Sequence, residues 1–306
     1  MRTVVAVDWS EQSFNAVKVV CRLFTHESLT LIHAVDLRPF ENPLFAQPLG
    51  RNSAGAMREA MVAAGERLLD QTGSLVPVTI PSIQRVYKIG NPAPVVLEAI
   101  RSAHADLVAV GSRGRGRLAE LVLGSVSHRV VLHAPCSALL VRDDPGSIRR
   151  VLLTVEGYED SVRLRSWLST HRFSRPIELS LLTVVPTIPI GDSTMEFRYD
   201  KWTAEMDQYA RQLVDETAAA LRTMYPAVTA QVEHGDPAHC ITKAAGHADL
   251  VIVGSHGWRG LEHFLLGSVS HAVLHKVTCP ILVIRYRGAL TPVSMGGGVT
   301  CSLYLA

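Results

Sequence analysis

A glycine-rich segment followed by hydroxyl side chains occurs twice in this sequence. Gly111–Gly114 (GSRG) is followed, after nine residues, by Gly124–His128 (GSVSH). The same pattern returns 143 positions later as Gly254–Gly257 (GSHG) and Gly267–His271 (GSVSH). Each copy follows a short apolar run and precedes an apolar pattern with helical spacing, which predicts a strand, a glycine loop and the start of a helix.

This arrangement can bind an anion. Glycine allows the backbone to approach a ligand closely, and a helix N-terminus presents unpaired N–H groups at the positive end of the helix dipole. Arg113 can attract a phosphate from the first loop. Four hydroxyl groups can add hydrogen-bond donors: those of Ser125, Ser127, Ser268 and Ser270. The alternative is that the serines only cap the helices and the glycines only form turns.

The two copies belong to a larger duplication. Fourteen of the 32 positions from Gly111 to Arg142 are identical in Gly254 to Arg285 without a gap. Such self-similarity indicates two copies of one structural unit. We predict a first domain over residues 1–143, a short polar linker, a second domain over 149–286, and a loose tail over 287–306.

Alternating strand and helix patterns indicate how the loops are positioned. Each unit reads β-α-β-α-β-α-β-α-β, which predicts an α/β fold of two tandem, doubly wound, five-stranded, mainly parallel sheets. Residues 37–52 and 186–193 are rich in turn-forming residues and predict loops, followed by helices over 53–73 and 199–224. Ligands of such sheets lie beyond the carboxyl ends of the strands, where Asp8, Ala34 and Gly111 converge.

Composition and charge exclude several classes. The net charge of +2 gives no electrostatic reason to expect nucleic acid or an anionic membrane as partner. No apolar run reaches membrane-spanning length, and the first strand starts directly after Arg2, so we expect a cytoplasmic protein without a signal peptide. The five cysteines lack zinc spacing, and His271 and His275 lack a matching pair in the first copy. We therefore predict no metal site.

With these motifs the sequence resembles the universal stress protein family in its tandem form. The family motif is Gly, two residues, Gly, nine residues, Gly, then Ser or Thr, and both copies fit it. The resemblance implies that ATP binds with Mg²⁺, that Asp8 faces the ribose and that the Ala34 backbone meets the adenine. It also implies which residues follow the ribose and phosphates: Gly111, Gly114, Gly124, Ser125 and Ser127. Without a P-loop lysine motif, backbone N–H groups, Arg113 and Mg²⁺ must meet the phosphate charge.

The second copy departs from this pattern. Glu156 stands where Asp8 stands, Tyr158 where Ser10 stands, and Val184 replaces Ala34. The loop positions are intact: Gly254, Gly257, Gly267, Ser268 and Ser270. We expect the second site to bind nucleotide weakly or to prefer another ligand.

The resemblance implies an ATP-binding regulatory or sensor module of the stress response, with at most slow ATP hydrolysis and no true enzymatic role. A nucleotide-free dimerisation scaffold is one alternative. An adenylyl-transferring enzyme is another, disfavoured because Asp8–Glu11 occupies the place of the Ser-Gly-Gly-rich loop such enzymes usually carry. In the family the last strands pair, so 138–141 and 281–284 are expected to join the units as an intramolecular pseudo-dimer. A further homodimer stays open.

Overall fold

The structure is a computed structural model that describes residues 1–38, 43–112, 123–187, 196–255 and 266–285, with the backbone alone at 43–54 and 196–201. The predicted tail, the residues 188–193 of the predicted second loop, Arg113, Gly114 and Gly257 lie outside the described residues. No described helix is long and apolar enough to cross a membrane.

Ten described strands form one continuous sheet. Its order is β3-β2-β1-β4-β5-β10-β9-β6-β7-β8, so each unit contributes five strands wound in both directions from its first strand. The pairs within each unit are parallel. The predicted α/β fold is confirmed. The strands are β1 (Arg2–Ala6), β2 (Ser28–Val35), β3 (Ile83–Ile89), β4 (Leu107–Gly111), β5 (Ser137–Val141), β6 (Arg150–Thr154), β7 (Glu178–Val185), β8 (Ala227–His234), β9 (Leu250–Gly254) and β10 (Ile281–Ile284).

Helices cover both faces of the sheet. The helices described are α1 (Glu11–Leu23), α2 (Pro43–Gly73), α3 (Pro92–Ser102), α4 (Ser125–His133), α5 (Tyr158–Thr170), α6 (Glu196–Arg222), α7 (Pro237–Ala245) and α8 (Ser268–Lys276). Apolar residues of α1, α2, α5 and α6 share one core cluster with the sheet, and those of α3, α4, α7 and α8 share the other. Strands buried on both faces explain the nearly continuous apolar runs in the sequence.

The two units join through an antiparallel pair. β5 pairs with β10, and Leu139 lies opposite Leu282, its own equivalent 143 positions along the chain. This self-equivalent pairing places a pseudo-two-fold axis between the units, perpendicular to the sheet. The predicted pairing of the last strands within the chain is confirmed, and the carboxyl edges of the two units consequently point in opposite directions.

Equivalent side chains cross this boundary in both directions. The buried guanidinium of Arg142 donates to the carbonyl of Leu274 (2.8 Å) at the end of α8. Its equivalent, Arg285, donates to the carbonyls of Val131 (2.8 Å) and Leu132 (2.6 Å) at the end of α4. Each arginine thus caps the C-terminal carbonyls of a helix in the other unit, a position that favours positive charge.

One sequence prediction is wrong in part. The second helix begins at Pro43 rather than Ser53, so most of the predicted loop 37–52 is helical. Proline at the first helical position loses no hydrogen bond, because that N–H has no partner inside a helix. Pro48 removes one helical bond, a loss that the many bonds of a helix of 31 residues outweigh.

Candidate functional site

Three strands of the first unit end at one crevice. Ala6 of β1 is level with Ile32 of β2 and with Val110 of β4. Asp8 and Ala34 therefore lie two residues beyond this level, and Gly111 lies one residue beyond it. The strand register brings these three predicted residues to the same carboxyl edge.

The carboxylate of Asp8 is held at the start of α1. Its Oδ1 accepts hydrogen bonds from the backbone N–H (2.9 Å) and the hydroxyl of Ser10. The Ser10 hydroxyl in turn accepts from the N–H of Ser13 (3.2 Å) and caps the helix. Oδ2 of Asp8 makes no hydrogen bond with the residues that the structure describes. One oxygen thus serves the helix cap while the other can accept from a ligand hydroxyl.

The lack of a side chain at Gly111 has a packing reason. A Cβ at this position would lie 2.6 Å from the carbonyl carbon of Gln12 and 2.7 Å from the backbone nitrogen of Ser13. These distances are too short for any side chain, because the atoms that would be met are backbone. Gly111 therefore lets α1 pack against the end of β4, whether or not a ligand is bound.

Backbone hydrogen bonds fix both ends of the glycine loop. The N–H of Ser112 donates to the carbonyl of Val141 (2.7 Å), and the N–H of Gly124 donates to the carbonyl of Ser112 (2.8 Å). The hydroxyl of Ser127 donates to the carbonyl of Gly111 (2.5 Å). The Ser127 proton is therefore engaged in closing the loop, which leaves its oxygen as an acceptor and not as a phosphate donor.

Among the described residues, no side chain caps the helix that follows the loop. Gly124 is the N-cap residue of α4 and offers no side-chain acceptor, whereas Ser10 caps α1 and Asp236 caps α7 with their side chains. Ser125 is exposed in the first turn. A helix start with uncapped N–H groups suits an anion. The nearby hydroxyl of Ser112 is buried and has no hydrogen-bond partner among the described residues.

Ala34 contributes a small apolar surface to the crevice. It is partly buried and packs against the core cluster shared with α3 and α4. The preceding His33 points its Nδ1 at the carbonyl of Val7 (2.8 Å). Because a carbonyl only accepts, Nδ1 carries the proton, and the ring ties β2 to the end of β1.

The second unit repeats the loop frame. The N–H of Gly267 donates to the carbonyl of Ser255 (2.9 Å), and the N–H of Ser255 donates to the carbonyl of Ile284 (3.0 Å). The hydroxyl of Ser270 donates to the carbonyl of Gly254 (2.7 Å), as Ser127 does in the first unit. Gly267 is the N-cap of α8, again without a side-chain cap, and Ser268 is exposed.

The lining of the second crevice is more acidic. Asp160 is the equivalent of Gln12, and its buried carboxylate accepts from the N–H of Glu156 (3.2 Å). A Cβ on Gly254 would lie 2.5 Å from Oδ1 of Asp160, so this carboxylate abuts the end of β9. Glu156 reaches solvent, and partial desolvation raises its pKa. Tyr158 exposes 43% of its surface beside this crevice.

At the position of Ala34 the second unit carries Val184, which packs against the same core cluster. The preceding Thr183 donates from its hydroxyl to the carbonyl of Val155 (2.8 Å) and so takes the place of the His33 ring. The connection between the first two strands is therefore kept with a smaller side chain.

Sequence reasoning missed a cluster of imidazoles between the units. His128 of α4 meets His271 and His275 of α8, and one ring nitrogen of each lies within 4.8 Å of the others. Spacing showed only the pair His271 and His275, because the third residue of the cluster comes from the other unit. The structure thus brings three side chains that can bind a metal together in a chain for which the sequence predicts no metal site.

A cavity of about 440 Å³ lies away from both glycine loops. The chain between the units covers it, and Arg22, Arg149, Arg175 and Glu178 line it together with Phe173. Arg22 is paired with Asp144 of the linker. With both charge signs present and no glycine loop near it, this cavity does not form part of the predicted nucleotide site.

These features define a class of protein: a duplicated, doubly wound α/β protein in which a helix with a glycine N-cap follows a glycine loop in each unit. A family model described as "Universal stress protein family" matches residues 1–142 and 147–285. The chain belongs to the universal stress protein family in its tandem form.

Similar proteins agree with this assignment. A universal stress protein of Mycolicibacterium smegmatis is 30% identical over 298 residues, which is 93% of this chain and 97% of that protein. One from Mycobacterium tuberculosis is 31% identical over 212 residues, 67% of this chain and 69% of that protein. The crystal structure of a universal stress protein from Archaeoglobus fulgidus has a TM-score of 0.57 at 17% identity, covering 92% of this chain and 95% of that one, and supports the fold.

Proposed function

We propose that this protein binds ATP in the crevice of its first unit and acts as a nucleotide-responsive regulatory module of the stress response. The observation that carries the proposal is the uncapped start of α4 beyond the glycine loop, at the same strand edge as the Asp8 carboxylate. An anion-accepting helix start beside a hydroxyl-accepting carboxylate suits a ligand with a phosphate tail and a ribose.

Each described residue then has a specific task. Oδ2 of Asp8 accepts from a ribose hydroxyl, while its Oδ1 stays with Ser10. The first N–H groups of α4 and the hydroxyl of Ser125 meet phosphate oxygens. Ala34 provides backbone and a small apolar contact for the adenine. Arg113, Gly114 and a Mg²⁺ ion complete the proposed phosphate environment, and the ion would supply positive charge to the phosphates.

The second crevice binds nucleotide more weakly in this proposal. The carboxylate of Asp160 lies against the end of β9, close to the loop that would wrap the phosphates. The negative charges of this carboxylate and of a phosphate repel more strongly in a partly buried site than in water, because the surroundings screen them poorly. The exposed Glu156 and Tyr158 further change the place of the ribose.

The proposed role is regulatory rather than catalytic. Among the described residues at the first crevice, Asp8 shares a carboxylate oxygen with Ser10, and His33 uses its Nδ1 proton to hold the Val7 carbonyl. In this proposal Oδ2 of Asp8 is taken by the ribose, and Nε2 of His33 lies beside Gly65 of α2, where an added Cβ would lie 3.5 Å from it. Neither group is therefore placed as a general base for an attacking water. We expect ATP turnover well below the range of about 1–100 per second typical of kinases.

The test begins with the purified protein, from which bound nucleotide is extracted and identified by absorbance and mass. Calorimetric titration of nucleotide-free protein with ATP and Mg²⁺ follows. Asp8→Ala should weaken binding by about tenfold or more, because a hydrogen bond to a charged group contributes about 1.5–3 kcal/mol. Ser10→Ala disturbs the same helix cap while keeping the carboxylate, so it serves as the control and should retain most of the affinity.

Two outcomes contradict the proposal. Absence of both co-purified nucleotide and a titratable site would favour a nucleotide-free scaffold. Equal losses in Asp8→Ala and Ser10→Ala would mean that the cap, and not the ribose, explains the effect. Glu156→Ala should leave the first site unchanged and so reports on the second crevice alone.

A further inference from the structure

Three histidine rings meet where the two units face each other. Nε2 of His128 lies 3.3 Å from Nε2 of His271, and the rings of His271 and His275 are 4.7 Å apart between centroids. The ring of His128 lies 5.5 Å from each of the other two. All three side chains are partly buried, and one nitrogen of each ring lies within 4.8 Å of the others.

The cluster lies on the pseudo-two-fold axis. His128 and His271 are equivalents 143 positions apart, as are Leu139 and Leu282, which pair across the sheet at the same axis. Two identical side chains meet at such an axis by symmetry. His275 breaks the symmetry, because its equivalent in the first unit is Leu132.

The surroundings of two of the rings oppose a positive charge. Desolvation, followed by the neighbouring His271, lowers the pKa of both His128 and His275. The Arg142 guanidinium also lowers the pKa of His275, and it is held one residue away by the carbonyl of Leu274. A neutral imidazole has a free lone pair, which is the state that binds metal ions.

We propose that His128, His271 and His275 bind a divalent cation of the zinc class between the two units. In a tetrahedral site with Zn–N bonds of about 2.0–2.1 Å, ligand nitrogens lie about 3.4 Å apart. The Nε2–Nε2 distance of 3.3 Å between His128 and His271 already has this value. The third nitrogen lies within 4.8 Å and reaches the ion by a turn of the His275 side chain.

The ligand set selects the kind of metal. Three imidazoles without a carboxylate favour zinc, copper or nickel over magnesium or calcium, which prefer oxygen ligands. Three protein ligands leave one tetrahedral position for water or another small ligand. The Arg142 charge nearby opposes a cation, so we expect an affinity below that of a closed four-ligand structural site.

The proposed ion cross-links the two units. One ligand comes from α4 and two come from α8, so the complete site exists only when both units are folded and joined through β5 and β10. A cation that binds only the native state raises its free energy of unfolding by mass action.

The experiment uses the full chain without a histidine tag, stripped with a chelator. It is titrated with Co²⁺, whose d–d absorption reports tetrahedral coordination, and the bound Co²⁺ is then displaced with Zn²⁺. We expect one Co²⁺ per chain and a melting temperature that rises with Zn²⁺. No tetrahedral spectrum, or binding of several ions with equal weakness, overturns the proposal.

Matched variants locate the ion. His275→Leu introduces the residue that the first unit carries and should weaken binding about tenfold or more. His247→Gln, at an exposed histidine outside the cluster, is the control and should change nothing. Leu132→His restores the symmetry with a fourth imidazole and should tighten binding. Equal affinities for His275→Leu and the unaltered protein would refute the assignment even if an ion binds.

Discussion

The two crevices share one backbone frame and differ in the side chains that line it. In both, a serine hydroxyl from the helix donates to the glycine carbonyl at the strand end, and a glycine N-cap leaves the helix start open. In the first, the backbone of Gln12 packs on Gly111; in the second, the carboxylate of Asp160 abuts Gly254. Duplication has thus preserved the hydrogen bonds at the ends of the loops while changing the charged side chains beside them.

Alanine at the two strand-end glycines gives the largest expected difference. Gly111→Ala should lower the free energy of unfolding by about 1–3 kcal/mol, because its Cβ would meet backbone that cannot move without shifting α1. Gly254→Ala should cost less, because its Cβ meets the tip of the Asp160 side chain, which can turn. Denaturant unfolding of both variants measures the difference, and a larger loss in Gly254→Ala would refute the packing explanation.

Removal of the Asp160 charge should make the second crevice resemble the first. Asp160→Asn keeps an acceptor for the N–H of Glu156 and removes the negative charge. We expect ATP affinity at the second site to rise on the order of tenfold, the effect of removing one nearby like charge. Calorimetry of Asp8→Ala with and without Asp160→Asn, in which the first site is weakened equally, measures this gain. Unchanged affinity would mean that Tyr158 or Glu156 sets the limit instead.

We expect the two units to differ in their response to acid. Burial lowers the pKa of His26, which is 4% exposed and hydrogen-bonded to Thr3 and to the Val20 carbonyl. The neutral His26 ring therefore contributes its full stabilisation above the unfolded-state pKa of about 6.5. This stabilisation is lost as the pH falls below about 6.5, by at most about 1.4 kcal/mol per pH unit.

We expect His26→Gln to flatten the pH dependence of unfolding below pH 6.5 more than His171→Gln does. Desolvation also lowers the pKa of His171, which follows the first helix of the second unit but is less buried. Chemical denaturation from neutral to mildly acidic pH gives both slopes. Equal slopes in the two variants would show that the burial difference does not control acid sensitivity.

The smallest effect concerns the serines that close the loops. Ser127→Ala removes a buried hydrogen bond and should cost about 0.5–1.5 kcal/mol, somewhat more than Ser270→Ala, whose hydroxyl is less buried. Because the Ser127 proton is directed at Gly111, we expect ATP affinity to change little in comparison with Asp8→Ala. A loss of affinity without a loss of stability would instead assign Ser127 to the phosphates.

Much of the fold was predictable because it depends on local patterns. Apolar runs located the strands, the repeat showed the duplication, and the family resemblance gave the pairing of β5 with β10. The start of α2 was not predictable, because two prolines and a glycine indicate a loop unless the rest of a long helix outweighs them.

The candidate site was predictable in position but not in detail. The convergence of Asp8, Ala34 and Gly111 follows from strand order alone. The packing of Gly111 on the backbone of Gln12 depends on a helix–strand contact that no spacing reveals. The histidine cluster depends on the axis between the units, so it combines residues that are far apart in sequence and looks incomplete in either copy.

The antiparallel join between β5 and β10 has a consequence for self-association. Because β5 and β10 pair with each other, neither is an edge strand, and the ten described strands have their two edges at β3 and β8. Both carry charged side chains, such as Arg85 and Lys88 on one and Glu233 on the other, which discourage strand addition by a neighbouring molecule. The intramolecular join thus takes the place of a dimer contact between two single units, and we expect any further copy to dock through helices or loops.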